Sequence, residues 1–224
     1  MKKKHIRKYN KIRKLHGEVV DSMEDYILKG KYDIQKFYDT ISSENFNYNK
    51  IEDIIYIDLD YDNYDDRTIL DELYIYSGTS NCPSIIDIFL DNNKFRNKEK
   101  LEMLNCMKNS IVGLFKVIKV DTEEGYVTYE DVFTHNKYKV IDIALSSSFM
   151  INKKIELYCY NRIITYEDIS FTTGIHCMMT YDNKKLRKFI KNHKYKKNND
   201  IYRCLKLYSI SKQDNLQVTF NNQY

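Results

Sequence analysis

The spacing of apolar residues changes near Gly113, and that change commits the chain to a mixed architecture. Before it, outside residues 54–62, apolar side chains recur every three or four residues, the period of a helix with one buried face. After it come short runs rich in β-branched and aromatic residues: FKVIKV, YVTYEDVF, YKVIDIAL, IELYCYNRII and ISFTTGIHCMM. The turn-like segments TEEG, THNK, INKK and TYED separate them. Five or so strands at this spacing predict a small antiparallel β-sheet or barrel. Gly174, inside a strand pattern, marks a bulge or a close backbone approach.

The first half reads as helices with identifiable ends. Ile12, Leu15, Val19, Met23, Tyr26 and Ile27 form one stripe, and Gly30 is placed to end it. Asp33 is a cap for a second helix through Ile34, Phe37, Tyr38 and Ile41, and a short connection joins the pair as an αα-hairpin. Residues 54–62 switch to alternation, with Ile55, Ile57, Leu59 and Tyr61 against Tyr56, Asp58, Asp60 and Asp62, the pattern of a half-buried strand with an acidic face. Asn63 to Asp66 is turn chemistry. TILDELYIY fits helix or strand equally. Pro83 suits the first turn of a short helix through Ile85, Ile86, Phe89 and Leu90, and Asn97 caps another through Leu101, Leu104 and Met107. KKLRKFIKNHKYKK carries a short apolar stripe, Leu186, Phe189 and Ile190, on a basic helix. The expected fold is therefore α+β: a mainly helical region over 1–111, a small β-domain over 112–181, and a basic helix and tail over 182–224.

Charge is distributed unevenly. The total is +4, but residues 1–14 hold eight Lys or Arg and no acid, and residues 184–206 hold ten against Asp200 alone. The remainder then carries −13, so two basic ends flank an acidic middle. Lys4, Arg7, Lys8, Lys11, Arg13 and Lys14 load one terminal helix; Lys184, Lys185, Arg187, Lys188 and Lys191 load the other. Such density neutralises phosphates with release of counterions, and Tyr9, Tyr195 and Tyr202 are placed to stack on bases. Two blander readings stand beside it: a solvated face, or pairing with acidic segments.

The densest acidic stretch is IDLDYDNYDD, with Asp58, Asp60, Asp62, Asp65 and Asp66. A calcium loop starting at Asp58 would need Gly where Asn63 stands and a bidentate Glu where Ile69 stands. Alternating aspartates on a wet strand also deter edge-to-edge pairing, with no function required. The five histidines form no metal-ligand spacing, and no phosphate-loop or nucleophile-elbow motif occurs. No cofactor is expected. The five cysteines are odd in number and scattered, which points to free thiols in the cytoplasm. Cys159 and Cys177 fall in neighbouring predicted strands and could meet across the sheet as a buried thiol pair. No apolar run is long enough for a membrane helix, and no apolar segment follows the basic N-terminus as a secretory signal would require.

From Thr68 to Met179 the chain resembles a group of uncharacterised bacterial proteins that often end in a zinc-binding SEC-C motif. The matching residues are Ser110, Leu114, Phe115, Val117, Val120, Val127, Asp131, Thr134, Tyr138, Val140, Arg162, Phe171 and Gly174. The chain departs from that pattern in two places. His135 stands where the group's turn has Gly, and the Cys-rich tail is absent. The resemblance carries no reaction; it implies that Asp131 and Thr134 fix a turn and that Arg162 pairs with Asp131 or Asp142.

The expectation is a non-enzymatic cytoplasmic binding protein contacting DNA or RNA through its basic terminal helices. One alternative is a phage or mobile-element interaction protein whose acidic middle, Asp58 to Asp66, docks on a basic protein partner. Another is a metal-dependent enzyme built on the same aspartates.

Overall fold

A computed structural model describes residues 2–42, 64–78, 82–93, 95–148, 156–174, 177–192 and 200–213. The expected α+β architecture is present. The chain divides between Asn109 and Ser110 into two compact units. The acidic strand expected near 54–62 lies outside the described residues.

The first unit is helical: α1 (Lys2–Leu28), α2 (Ile34–Ser42), α3 (Tyr64–Tyr76), α4 (Ile85–Asn92) and α5 (Lys98–Lys108). α1 buries Ile12, His16, Val19, Met23 and Tyr26, spaced four and three apart. It ends as its sequence implies. Gly30 takes φ +68°, its N–H reaches the carbonyl of Ile27, and the N–H of Lys31 reaches that of Tyr26. These two bonds form a Schellman closure, satisfying carbonyls that the helix leaves open. Asp33 caps α2 by accepting from the N–H of Lys36 at 2.9 Å. Asn97 caps α5 in the same way, accepting from Glu99 and Lys100.

TILDELYIY is helical, and α3 buries Ile69, Leu70, Leu73, Tyr74 and Ile75. Burial on so many sides explains why periodicity alone left this segment ambiguous. The helix starts at Tyr64, so Asp65 and Asp66 stand in it rather than in the expected loop. Pro83 is not in the first turn of α4. Ser84 is the cap, its hydroxyl accepting from the N–H of Asp87, and Pro83 precedes it.

The second unit holds β1 (Ile111–Asp121), β2 (Tyr126–Asp131), β3 (Lys137–Ile141), α6 (Ile143–Ser148), β4 (Leu157–Tyr166), β5 (Ile169–Thr172), β6 (Cys177–Thr180), α7 (Lys184–Asn192) and α8 (Asp200–Gln213). The segment YKVIDIAL is not one strand. Asp142 ends β3, caps α6 by accepting from the N–H of Leu145 at 2.9 Å, and turns IAL into helix. ISFTTGIHCMM is likewise split into β5 and β6, and Gly174, at φ +96°, lies between them.

The strands run in the order β1-β2-β3-β5-β4-β6, and β1 also pairs with β4. That extra pairing, from Ile111 opposite Ile163 to Lys116 opposite Tyr158, closes five strands into a barrel, with β6 added beside β4. The β3–β5 contact is parallel and the other pairings are antiparallel. This ring order, with a helix between the third and fourth strands, is that of an OB-type barrel. β1 changes register between Val117 and Lys119, a bulge that helps one long strand bend between two neighbours. Phe115, Val127, Tyr129, Val140, Leu145, Leu157, Cys159, Ile163 and Met178 fill the interior. Inside it the hydroxyl of Tyr129 donates to Asp142 at 2.8 Å, so the carboxylate that caps α6 also ties the helix to β2. Gly113 is required by close approach: a Cβ there would come within 2.8 Å of the Asp131 carboxylate.

Candidate nucleic-acid interface

Helix α7 shows how the C-terminal cations are presented. Asn183 starts it, accepting from the N–H groups of Lys185 and Leu186. Leu186 and Phe189 are buried, and Phe189 meets Phe133 of the β2–β3 turn edge-on at 6.5 Å. With that stripe docked, Lys184, Lys185, Lys188 and Lys191 are exposed. Arg187 is half-buried. Its Nη1 donates to the carbonyl of Tyr181 at 3.1 Å, and its guanidinium lies 5.7 Å from the centre of that ring.

Tyr181 continues a column. It stacks on Tyr158 of β4 with ring centres 5.8 Å apart and planes 25° from parallel. Lys116 of β1 lies 5.9 Å from the Tyr158 ring and is paired with Glu156. The register explains the meeting, since Lys116 is opposite Tyr158 in the β1–β4 pair. Burial, then the hydrogen bond to Glu156, pushes the Tyr158 phenol well above its usual range. The Lys116 hydrogen bond holds the Glu156 carboxyl low. Both groups therefore keep fixed charge states near neutral pH.

A second outward set lies across β1, β2 and β3. Glu130 is opposite Lys116 and Lys137; Thr128 is opposite Lys119 and Lys139. Lys139 covers the Tyr126 ring at 4.1 Å. Tyr126 is also held near acids: burial, then Glu124 in the β1–β2 turn and Asp168 in the β4–β5 turn, raise its phenol. Those two turns flank the usual ligand groove of OB-type barrels.

The N-terminal cations belong to the other unit. Arg7, Lys11 and Lys14 are exposed along α1, while Lys8 and Arg13 are half-buried. Lys4 lies in the first turns of the same helix. Of the tyrosines expected to stack on bases, Tyr9 is half-buried, Tyr195 lies outside the described residues, and Tyr202 is buried. Tyr202 cannot serve as a stacking surface, because α8 packs against β6 and β4. Lys116, Tyr158 and Tyr181 were not singled out by sequence reasoning. The available signal was alternation in the strands, which marks outward positions but not which of them become neighbours.

Asp58, Asp60 and Asp62 lie outside the described residues, and Asp65 and Asp66 are in α3. Among the described residues, no three His, Cys, Asp or Glu are grouped as a metal site. Cys159 faces Met178 and Cys177 faces Tyr160, so the two buried thiols sit one register step apart, and neither is in a disulfide. Asp131 does fix its turn, accepting from the N–H groups of Phe133 and Thr134 at 2.9 and 2.7 Å. His135 takes φ +58° there, adopting the left-handed conformation that Gly accepts most readily. Arg162 is buried and its Nη1 donates to Ser110 at 2.9 Å. Among the described residues, no helix is long and apolar enough to cross a membrane.

No curated protein and no solved structure matches the chain. A family match spans residues 3–221, which is nearly the whole chain and both units: the protein belongs to the Family of unknown function (DUF7986).

Proposed function

We propose that this protein is a non-enzymatic nucleic-acid-binding protein of the cytoplasm whose principal contact surface is α7 together with the adjoining barrel wall. The observation that carries the reading is the docking of α7. Its two apolar anchors are buried, and Lys184, Lys185, Lys188 and Lys191 are left on the exposed side. A barrel of this topology hosts many functions, so topology alone assigns none. Cations carried on a packed scaffold are what a phosphate backbone recognises, because the helix that presents them is already ordered before binding. The free thiols agree with a reducing compartment.

The test is fluorescence anisotropy with labelled DNA and RNA at several salt concentrations. The intact chain is compared with a variant carrying Lys184→Glu, Lys185→Glu, Lys188→Glu and Lys191→Glu. Charge reversal is preferable to deletion, because α8 packs on the barrel beyond these residues. Binding that weakens steeply with salt, and a loss of about a hundredfold in the variant, supports the reading. Equal binding by the two proteins would refute it.

A further inference from the structure

We infer that the nucleic acid is single-stranded and that a base stacks on Tyr181, extending the Tyr158–Tyr181 column beside α7. This rests on the reading above and names its ligand class and point of contact. Tyr181 is 43% exposed although it is packed against Tyr158. Its backbone is pinned, because its N–H donates to the carbonyl of Glu156 at 3.1 Å and its carbonyl receives Arg187. An exposed ring on a fixed backbone, with the Arg187 guanidinium over it, offers a base an arginine–tyrosine pair to stack on and the adjoining phosphate a cation.

Charge selects this surface over the other aromatic site on the barrel. Tyr126 also lies under a lysine, but Glu124 and Asp168 stand close enough to act on it. Glu123 and Glu167 occupy the same two turns. The groove where OB-type barrels usually hold ligands is therefore acidic here and repels phosphate. Around Tyr181 the balance is reversed. Lys116, Arg187 and the four exposed lysines of α7 outnumber the acids shown beside the column: Glu156, already paired with Lys116, Glu130, which acts on Tyr158, and the neighbouring Asp182. The preference for single strands follows from stacking: inside a duplex both faces of a base are covered, so an aromatic ring gains nothing from it.

The experiment measures affinity for a labelled single-stranded DNA, the RNA of the same sequence, and the DNA duplex, using the full chain. Tyr181→Ala should weaken both single strands by about 5- to 100-fold and leave the duplex within about twofold, as expected for the loss of one base stack. Tyr181→Phe should bind like the parent, because the ring is kept. Tyr181→Leu keeps bulk against Tyr158 without a π face and should behave like Tyr181→Ala, separating lost stacking from a loosened β6. Unequal losses on DNA and RNA would tell which single strand is preferred while still supporting the stack. If all three variants match the parent while reversal of the α7 lysines abolishes binding, the stacking surface is wrong and the binding function stands. If the parent binds no strand at low salt, both fall.

Discussion

Helices α1 and α7 carry the same kind of charge but are built into the molecule differently. In α1 the exposed cations Arg7, Lys11 and Lys14 follow one face of a 27-residue helix whose buried stripe serves the helical unit. In α7, nine residues long, the cations surround two buried anchors and adjoin a tyrosine column on the barrel. A solvated charged face and a binding surface look alike in composition. They differ in what stands beside the cations. Aromatic surface and a fixed backbone adjoin α7, and those are the parts that convert general attraction for phosphate into a site.

The sharpest way to break this contrast is to reverse each set separately. Four reversals on α7 should cost about a hundredfold in affinity at low salt; Arg7→Glu with Lys11→Glu and Lys14→Glu should cost less than about fivefold. Anisotropy titrations of the two variants decide it, and the opposite ranking would move the interface to α1.

The next largest effect concerns the stability of the helical unit. His16 is buried on the inner face of α1, its Nε2 lying 3.4 Å from the hydroxyl of Tyr76. Burial, and secondarily Arg13, lowers its pKa from 6.5 to about 3. The unfolded chain therefore binds a proton that the folded one refuses between those values. Stability from the neutral imidazole is full above pH 6.5 and falls on acidification towards pH 3. Urea unfolding at pH 7 and pH 4.5 should differ by roughly 2 kcal/mol more in the parent than in His16→Gln. Equal differences would show that His16 is not the group responsible.

The barrel has its own weak point. Gly113→Ala drives a Cβ to within 2.8 Å of the carboxylate that fixes the β2–β3 turn. It should destabilise by about 1–3 kcal/mol, measured by chemical unfolding. Amide exchange should rise in β1 and β2 with little change in α1, sharpening the distinction between the units. The smallest effect is expected for Asn183→Ala, which removes the cap of α7 and should cost about 1 kcal/mol. It should also weaken nucleic-acid binding a few-fold, as the lysines lose their fixed frame; affinity unchanged at equal helicity would argue that α7 need not be rigid.

Much of the local structure was legible. Gly30, Asp33 and Asn97 act as helix ends because capping is a transaction between residues two to five apart, which a linear reading contains. The misreadings were also local. Asp142 looked like part of a strand because β-branched residues surround it, but its carboxylate is buried by Tyr129 and captures the amide of Leu145. Pro83 looked like a first-turn residue because proline suits that position, but the Ser84 hydroxyl was the better cap.

The two periods, most of the helix ends, the segregation of charge and the β-rich second half are written along the chain. Each is set by neighbours along the chain. The closing of β1 against β4, and the meeting of Lys116, Tyr158, Tyr181 and Arg187 on one surface, emerge from packing alone. Alternation assigns a side chain to a face of its own strand. Which side chains then become neighbours depends on the register between distant strands, and that is chosen by how the whole barrel fills its interior.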